Sequence, residues 1–367
     1  MAPSATATRR ALQPLWSALD AHLAPRLARG ALLCVSGGSD SRALLEATAG
    51  WQGRAGGEVA VACVDHRVRA AGGAEARAVA ALAGARGFPA VVLTLPATSP
   101  SEGALREARY QALAALARQR RLGSLVVAHH EDDVAEGAVL AWLGAGGGPG
   151  GAAPPRVTDL GGVDVLRPFL HLPRATLRGA LSALGALDWI EDPEARSARA
   201  RVRRVLGALG RGRDLRGPLA RAARRRREDE DALASAAQAW VRGGPGALEV
   251  DAGAAPAALA RRALEQAVRA RVAGEPRRAA AGIATALSLV AGGRAGRVDL
   301  AGARLEVDQG GVVRVLGASA VAGEPAPTQN VPQAPATPLA GPASMRTVDG
   351  KRFSDEADGR RPSDEQP

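Results

Sequence analysis

The sequence predicts an α/β fold: a doubly wound parallel sheet followed by a smaller, mainly helical domain that ends in a β-hairpin. Short apolar runs of strand length alternate with longer stretches of helical spacing from residue 31 to residue 187, the pattern of a parallel sheet covered by helices on both faces. Motif-like polar segments stand directly after two of those runs, where doubly wound sheets bind ligands. The composition agrees. Hydrophobic residues make up 46% of the chain but aromatics only 2%, so the core is built from Ala, Leu and Val.

Taken in order, residues 10–28 place Leu12, Leu15, Trp16, Leu19, Leu23 and Leu27 on one helical face. Ala31–Val35 is a strand buried on both faces. It runs into Ser36-Gly37-Gly38-Ser39-Asp40-Ser41, and a helix starts near Ser41. Val59–Val64 is a second buried strand that ends in Asp65-His66. A helix over Ala74–Arg86, a strand over Ala90–Leu95 and a helix over Glu102–Arg120 follow. Ser124–Ala128 is the fourth strand, ending in His129-His130-Glu131-Asp132-Asp133. The Gly- and Pro-rich run 144–155 is expected to be a mobile loop. Val165–Pro168 then gives a short strand and Arg174–Leu187 a helix.

Residues 211–242 carry Arg224–Arg227 followed by Glu228–Asp231, and a helix that is basic then acidic is expected to be a solvated face. Helices at 256–273 and 277–292 precede a hairpin, Arg304–Leu316, turning on Gly310-Gly311. From residue 319 the chain is rich in Pro, Ser and charge, and disorder is expected. The implied division is an N-terminal helix (1–28), a nucleotide-binding domain (29–210), a helical substrate domain with the terminal hairpin (211–318) and a tail (319–367).

The net charge is +11, and Lys351 is the only lysine, so the excess is arginine. A surface this basic attracts phosphate backbones. No run of 18 apolar residues and no basic-then-apolar leader is present. A cytoplasmic protein without a membrane partner is expected. Cys34 and Cys63 form no Cys-x-x-Cys pair, which argues against a zinc or redox site.

A Gly-Gly loop between a buried strand and a helix offers backbone N–H groups and a positive helix end to an anion. Ser36, Ser39 and Ser41 add hydroxyl donors. An ordinary tight turn also favours these residues. Asp40 inside a phosphate cradle makes sense if a cation bridges the two, and Mg2+ is the natural choice. Asp133 and Glu136, at i and i+3 on one helix face, form a paired acidic site, though helix N-termini favour acidic residues anyway. Adjacent histidines on a strand end point opposite ways, so His129 and His130 are expected to hydrogen-bond rather than to share a metal.

Ser-Gly-Gly-x-Asp-Ser after a first strand resembles the loop of the PP-loop, N-type ATP pyrophosphatases, a Rossmann-like ATPase fold. Further segments narrow the resemblance to the tRNA(Ile)-lysidine synthetase family. They are Val64-Asp65-His66-Arg67-Val68-Arg69, Glu102–Tyr110, Ala128–Glu136, and Arg167-Pro168 leading through Trp189–Pro193 to Arg199–Arg203. The resemblance spans residues 30–206, with weaker likeness to about residue 316. It implies adenylation of the wobble cytidine of tRNA(Ile) at C2, followed by displacement of AMP by the ε-amine of free L-lysine. It assigns Ser36, Gly37, Gly38, Ser39, Asp40 and Ser41 to ATP, Asp40 to Mg2+, and Val64 and His66 to the nucleotide pocket. Arg109 would stabilise the leaving pyrophosphate, and Asp133 with Glu136 would orient and deprotonate lysine. Asp40, Arg109, Asp133 and Glu136 are thus the expected catalytic set, and a homodimer is compatible with the sequence.

Several positions depart from the family pattern: Arg67 replaces a glycine, Glu194-Ala195 replaces Ser-Asn, Ala200 an asparagine, and glycines fill 144–151. Two alternatives stay open. One is a PP-loop tRNA thiolase, which needs reactive or cluster-binding cysteines. The other is an RNA-binding paralogue that no longer catalyses.

Overall fold

The N-terminal leucines form helix α1 (Ala5–His22), which starts earlier than their spacing suggests because the Ser4 hydroxyl accepts from the Ala7 N–H at 3.2 Å. In the computed structural model the described residues are 4–65, 71–95, 102–144, 151–190, 198–244, 246–272 and 279–317. All of them fall within one compact unit, Met1–Ala322. His66, Arg67, most of the glycine run, Glu191–Pro193 and the tail expected to be disordered lie outside the described residues.

A 3-10 turn (Ala24–Arg29) leads to β1 (Ala31–Cys34), followed by α2 (Ser39–Gly50), β2 (Val59–Asp65), α3 (Gly72–Ala85) and β3 (Ala90–Thr94). Then come α4 (Glu102–Gln119), β4 (Ser124–Val126), α5 (Glu131–Trp142), β5 (Val157–Asp159), β6 (Asp164–Leu166) and α6 (Arg174–Leu184). The first sheet has the order β3-β2-β1-β4-β6-β5. Its pairs are parallel except for the edge strand β5. Chain order reverses between β1 and β4, and this switch point is where such sheets open a crevice.

Both faces of that sheet are covered. Leu33 and Val61 face Leu15, Leu19, Leu44 and Leu177. The alternate residues Leu32, Ala60 and Leu125 face Leu113, Ala114 and Ala117 of α4. With so few aromatic residues, small side chains let helices and strands approach closely.

The second half comprises α7 (Ala198–Gly210), α8 (Arg216–Gln238), β7 (Val241–Gly243), β8 (Ala247–Asp251), α9 (Ala257–Arg271), α10 (Ala280–Ala291), β9 (Gly296–Leu300), β10 (Ala303–Val307) and β11 (Val312–Gly317). The expected hairpin is β10–β11, with Val307 opposite Val313. It is part of more sheet than the sequence suggested, a five-stranded antiparallel sheet of order β7-β8-β11-β10-β9. The missed strands are short and interrupted by charges, such as Gly-Arg-Val-Asp-Leu in β9. Their charges pair across the outer face, as in Arg297–Glu306 at 3.2 Å and Arg314–Glu249 at 3.1 Å. Leu305, Val313 and Val315 pack inward with Leu264 and Ile283 of α9 and α10.

The charge run on α8 is solvated at Arg225, Arg226, Glu228, Asp229 and Asp231, as expected, but Arg224, Arg227 and Glu230 turn inward. Arg224 binds Glu131 of α5 at 2.8 Å and Arg227 donates to the Ala153 carbonyl at 2.9 Å. The buried Glu230 pairs with Arg262 of α9. One arginine of the run therefore meets the acidic start of α5 and one glutamate meets an arginine of α9. Ala152 and Ala153, in the stretch expected to be mobile, are buried, and the Ala153 N–H donates to the Ala223 carbonyl at 2.8 Å.

Candidate active site

At the switch point the end of β1 opens into the glycine-serine loop, with Gly38 at the N-cap of α2. The Ser41 hydroxyl bolts this loop: it accepts from the Ser36 N–H at 3.1 Å and donates to the Gly38 carbonyl at 3.0 Å. Gly37 has φ of 86°. A Cβ there would run into Ile190 Cδ1 and come within 3.0 Å of Val79 Cγ2. Glycine is required both by conformation and by space. Gly37→Ala is expected to cost about 1–3 kcal/mol of stability and to weaken ATP use. A urea unfolding midpoint equal to that of the parent chain would contradict this.

β4 ends at Val126, and the chain runs on through His129 to His130, which caps α5. Its Nδ1 accepts from the Asp133 N–H at 3.4 Å, and the Asp133 carboxylate accepts from the His130 N–H at 3.1 Å. This is a capping box with histidine in place of serine. The opposite ring nitrogen, Nε2, lies 3.3 Å from the Asp40 carboxylate. Arg174, the first residue of α6, reaches the same carboxylate at 3.0 Å through Nε. Burial by itself would raise the Asp40 pKa, but the hydrogen bonds and charges of His130 and Arg174 outweigh it and hold the carboxyl below its usual range. Burial likewise works against the charge on His130. The surrounding Asp40, Asp133 and Asp132 overcome that and raise its pKa.

One cavity of about 610 Å³ gathers these parts. Ser36, Gly38, Asp40, Ser41, Val64, Arg109 and Asp133, all expected from sequence, line it together with Arg106, Tyr110 and His129. Gly37 and Ser39 are not in its wall. Ser39 is buried and its hydroxyl donates to Asp40 Oδ1 at 3.2 Å. His66 lies outside the described residues. His129 is kept neutral by burial and by Arg106, Arg167, Arg199 and Arg109 around it.

Glu136 departs from the expected open acidic pair. It is fully buried and outside the cavity wall, and Arg203 grips it with two hydrogen bonds of 2.7 and 3.1 Å. The whole acidic start of α5 is met in this way: Glu131 by Arg224 at 2.8 Å, Asp132 by Arg216 at 3.4 Å, and Asp133 by Arg199 at 3.5 Å. Sequence reasoning missed these pairs. The usable signal was complementarity of spacing, with Arg199 and Arg203 at i and i+4 opposite Asp133 and Glu136 at i and i+3. Nothing local marked Arg174.

The two cysteines point to opposite faces of the sheet, Cys63 with Val61 and Cys34 with Leu32. Burial pushes the Cys34 thiol up to about 12 and the Cys63 thiol up to about 11. Neither is a thiolate near neutrality. At pH 8 the native chain is expected to leave both unmodified by a thiol-disulfide reagent, with two reacting on unfolding. Rapid reaction of either in the native state would refute this.

The PP-loop domain family profile matches residues 12–209. The tRNA(Ile)-lysidine synthase of Methylobacterium sp. (strain 4-46) is 44% identical over 268 residues, covering 68% of this chain and 76% of that protein. That of Methylobacterium nodulans is 39% identical over 327 residues, covering 84% and 94%. That of Salinispora tropica is 38% identical over 251 residues, covering 66% and 74%. Set beside a glycine-serine loop at the switch point of a PP-loop sheet, these likenesses place the chain in the tRNA(Ile)-lysidine synthase family.

Proposed function

We propose that this chain makes lysidine: it uses ATP to activate C2 of the wobble cytidine in a tRNA(Ile) with a CAU anticodon, then joins the ε-amine of free lysine there. The observation that carries the reading is the single cavity uniting the loop at the start of α2 with Arg109 and Asp133. The cytidine O2 attacks the α-phosphorus of ATP and pyrophosphate leaves. The lysine amine then attacks C2, loses a proton, and AMP departs with the oxygen. An amide-like carbonyl is a poor electrophile until its oxygen becomes a good leaving group, which is why ATP is consumed.

In this reading the loop Ser36–Ser41 and the start of α2 hold the phosphates. Arg109 offsets charge on the departing pyrophosphate. Asp133 orients the lysine ammonium and accepts its proton. Glu136 acts through Arg203, fixing α7 against α5. Among the described residues no cluster of three acidic, His or Cys side chains could hold a metal by itself. Asp40 nevertheless lines the cavity with carboxylate oxygens, the donor type Mg2+ takes beside phosphate oxygens and water. Bound there, Mg2+ supplies Lewis-acid polarisation of the phosphates. Residues 29–210 carry this chemistry, and the segment 211–318 presents the tRNA, whose phosphates suit the +11 charge.

The test is incorporation of radiolabelled lysine into an unmodified tRNA(Ile) transcript. Label in the RNA and stoichiometric AMP are expected only with ATP, lysine and a cytidine at the wobble position together. AMP without label would refute the acceptor.

A further inference from the structure

Five arginines around α5 and the loop are each paired with a carboxylate: Arg174 with Asp40, Arg199 with Asp133, Arg203 with Glu136, Arg216 with Asp132 and Arg224 with Glu131. Arg106 and Arg109 differ. Both line the cavity, and among the described residues neither forms an ion pair with a carboxylate. They stand at i and i+3 on α4, and both guanidinium groups lie over the Tyr110 ring, at 5.3 and 5.6 Å from its centroid. Stacking on an aromatic face fixes a guanidinium in orientation and leaves its N–H fork open. Two oriented cations that form no ion pair with a carboxylate among the described residues, set in the wall of a cavity, suit an oxyanion.

The two are not equivalent in position. The charge of Arg109 reaches Cys34 at the end of β1, beside the phosphate loop. Arg106 is half-buried. Burial, together with the like charges of Arg199 and Arg109, works against its charge, while Tyr110 and Asp133 favour it. Arg106 lines the same cavity as Asp133, the carboxylate that would take an ammonium group, and with Arg109 given to pyrophosphate it is the guanidinium left for a second anion. A cation and an anion in the wall of one cavity suit a zwitterion.

We infer that Arg106 binds the α-carboxylate of the amino acid whose side-chain amine is joined to the tRNA, and so helps to select a free amino acid over other primary amines. The inference rests on the lysine reading above and adds the residue that would recognise the far end of the molecule.

The experiment compares lysine with lysinamide, which keeps the length and both amines but lacks the carboxylate, in the parent chain and in Arg106→Met. A charged hydrogen bond corresponds to about 10- to 100-fold. The parent is expected to favour lysine over lysinamide by that factor in kcat/KM. Arg106→Met is expected to lose the preference through a raised KM for lysine, with the KM for ATP unchanged. Arg106→Lys, which keeps the charge but not the fork, should recover part of it and serves if the methionine variant folds poorly. Undiminished preference for lysine in both variants overturns the inference. So does a raised KM for ATP or weakened tRNA binding with the preference intact, either of which would assign the guanidinium to a phosphate. A parent chain that attaches no lysine at all would overturn the functional reading along with it, an outcome distinct from these.

Discussion

Asp40→Ala is expected to lower AMP formation by about a thousandfold while leaving the chain folded. The carboxylate lies in the wall of the cavity next to the phosphate loop, and polarising phosphate oxygens through a metal is worth several kcal/mol of barrier, about one decade of rate per 1.4 kcal/mol. Its structural contribution is smaller. The carboxylate is part-buried between Arg174 and His130, and losing charged hydrogen bonds of this kind costs about 1.5–3 kcal/mol. Because the folded-state pKa of Asp40 lies below its unfolded value, that contribution is present above the ordinary carboxylate range and is lost only as pH falls through the lowered folded value. Rate assays at pH 6–8 therefore compare a fully ionised Asp40 with its absence. Pyrophosphate release measured with tRNA and lysine present is the readout, and activity within tenfold of the parent would sink the metal assignment.

Arg203→Met carries the second large effect, on stability. Glu136 is 0% exposed, whereas the Arg203 side chain is 39% exposed. Removing the arginine leaves a carboxylate buried without a partner, at a cost of about 3–5 kcal/mol. Removing the charge on the other side, with Glu136→Gln, leaves a guanidinium that can turn to water, and about 1–2 kcal/mol is expected. The double variant Arg203→Met/Glu136→Leu should recover much of the loss, since an apolar pair of similar size fills the same space. Urea unfolding of the three variants checks this order. Equal losses from the two single variants would show that Glu136 reaches solvent or another partner, and would reopen it as an available lysine ligand.

The sheet was legible because each buried strand is a short apolar run and each helix a longer periodic one, and these signals are local. The second sheet was less so. In β8 and β9 two of the five residues are charged, and only cross-strand partners such as Glu249–Arg314 and Arg297–Glu306 explain why such segments extend. The loop Ser36–Ser41 was recognisable by residue type, yet the sequence could not tell that Ser39 turns inward to Asp40 and Arg174 while Ser41 bolts the loop.

By itself the sequence determined the parallel order of apolar runs, the glycine that Gly37 must be, the basic balance of the surface and seven of the residues that line the cavity, since these depend on backbone conformation, composition and local pattern. Only the tertiary structure decided which charges are spent on one another. Asp133 and Glu136 are three residues apart and look alike in the chain, but one faces the cavity and the other is buried under Arg203. Arg106 and Arg199 are both arginines, yet among the described residues one forms no ion pair with a carboxylate and the other holds Asp133. Whether a charge is available to a ligand depends on what faces it from a distant segment, and that is settled only when the segments pack.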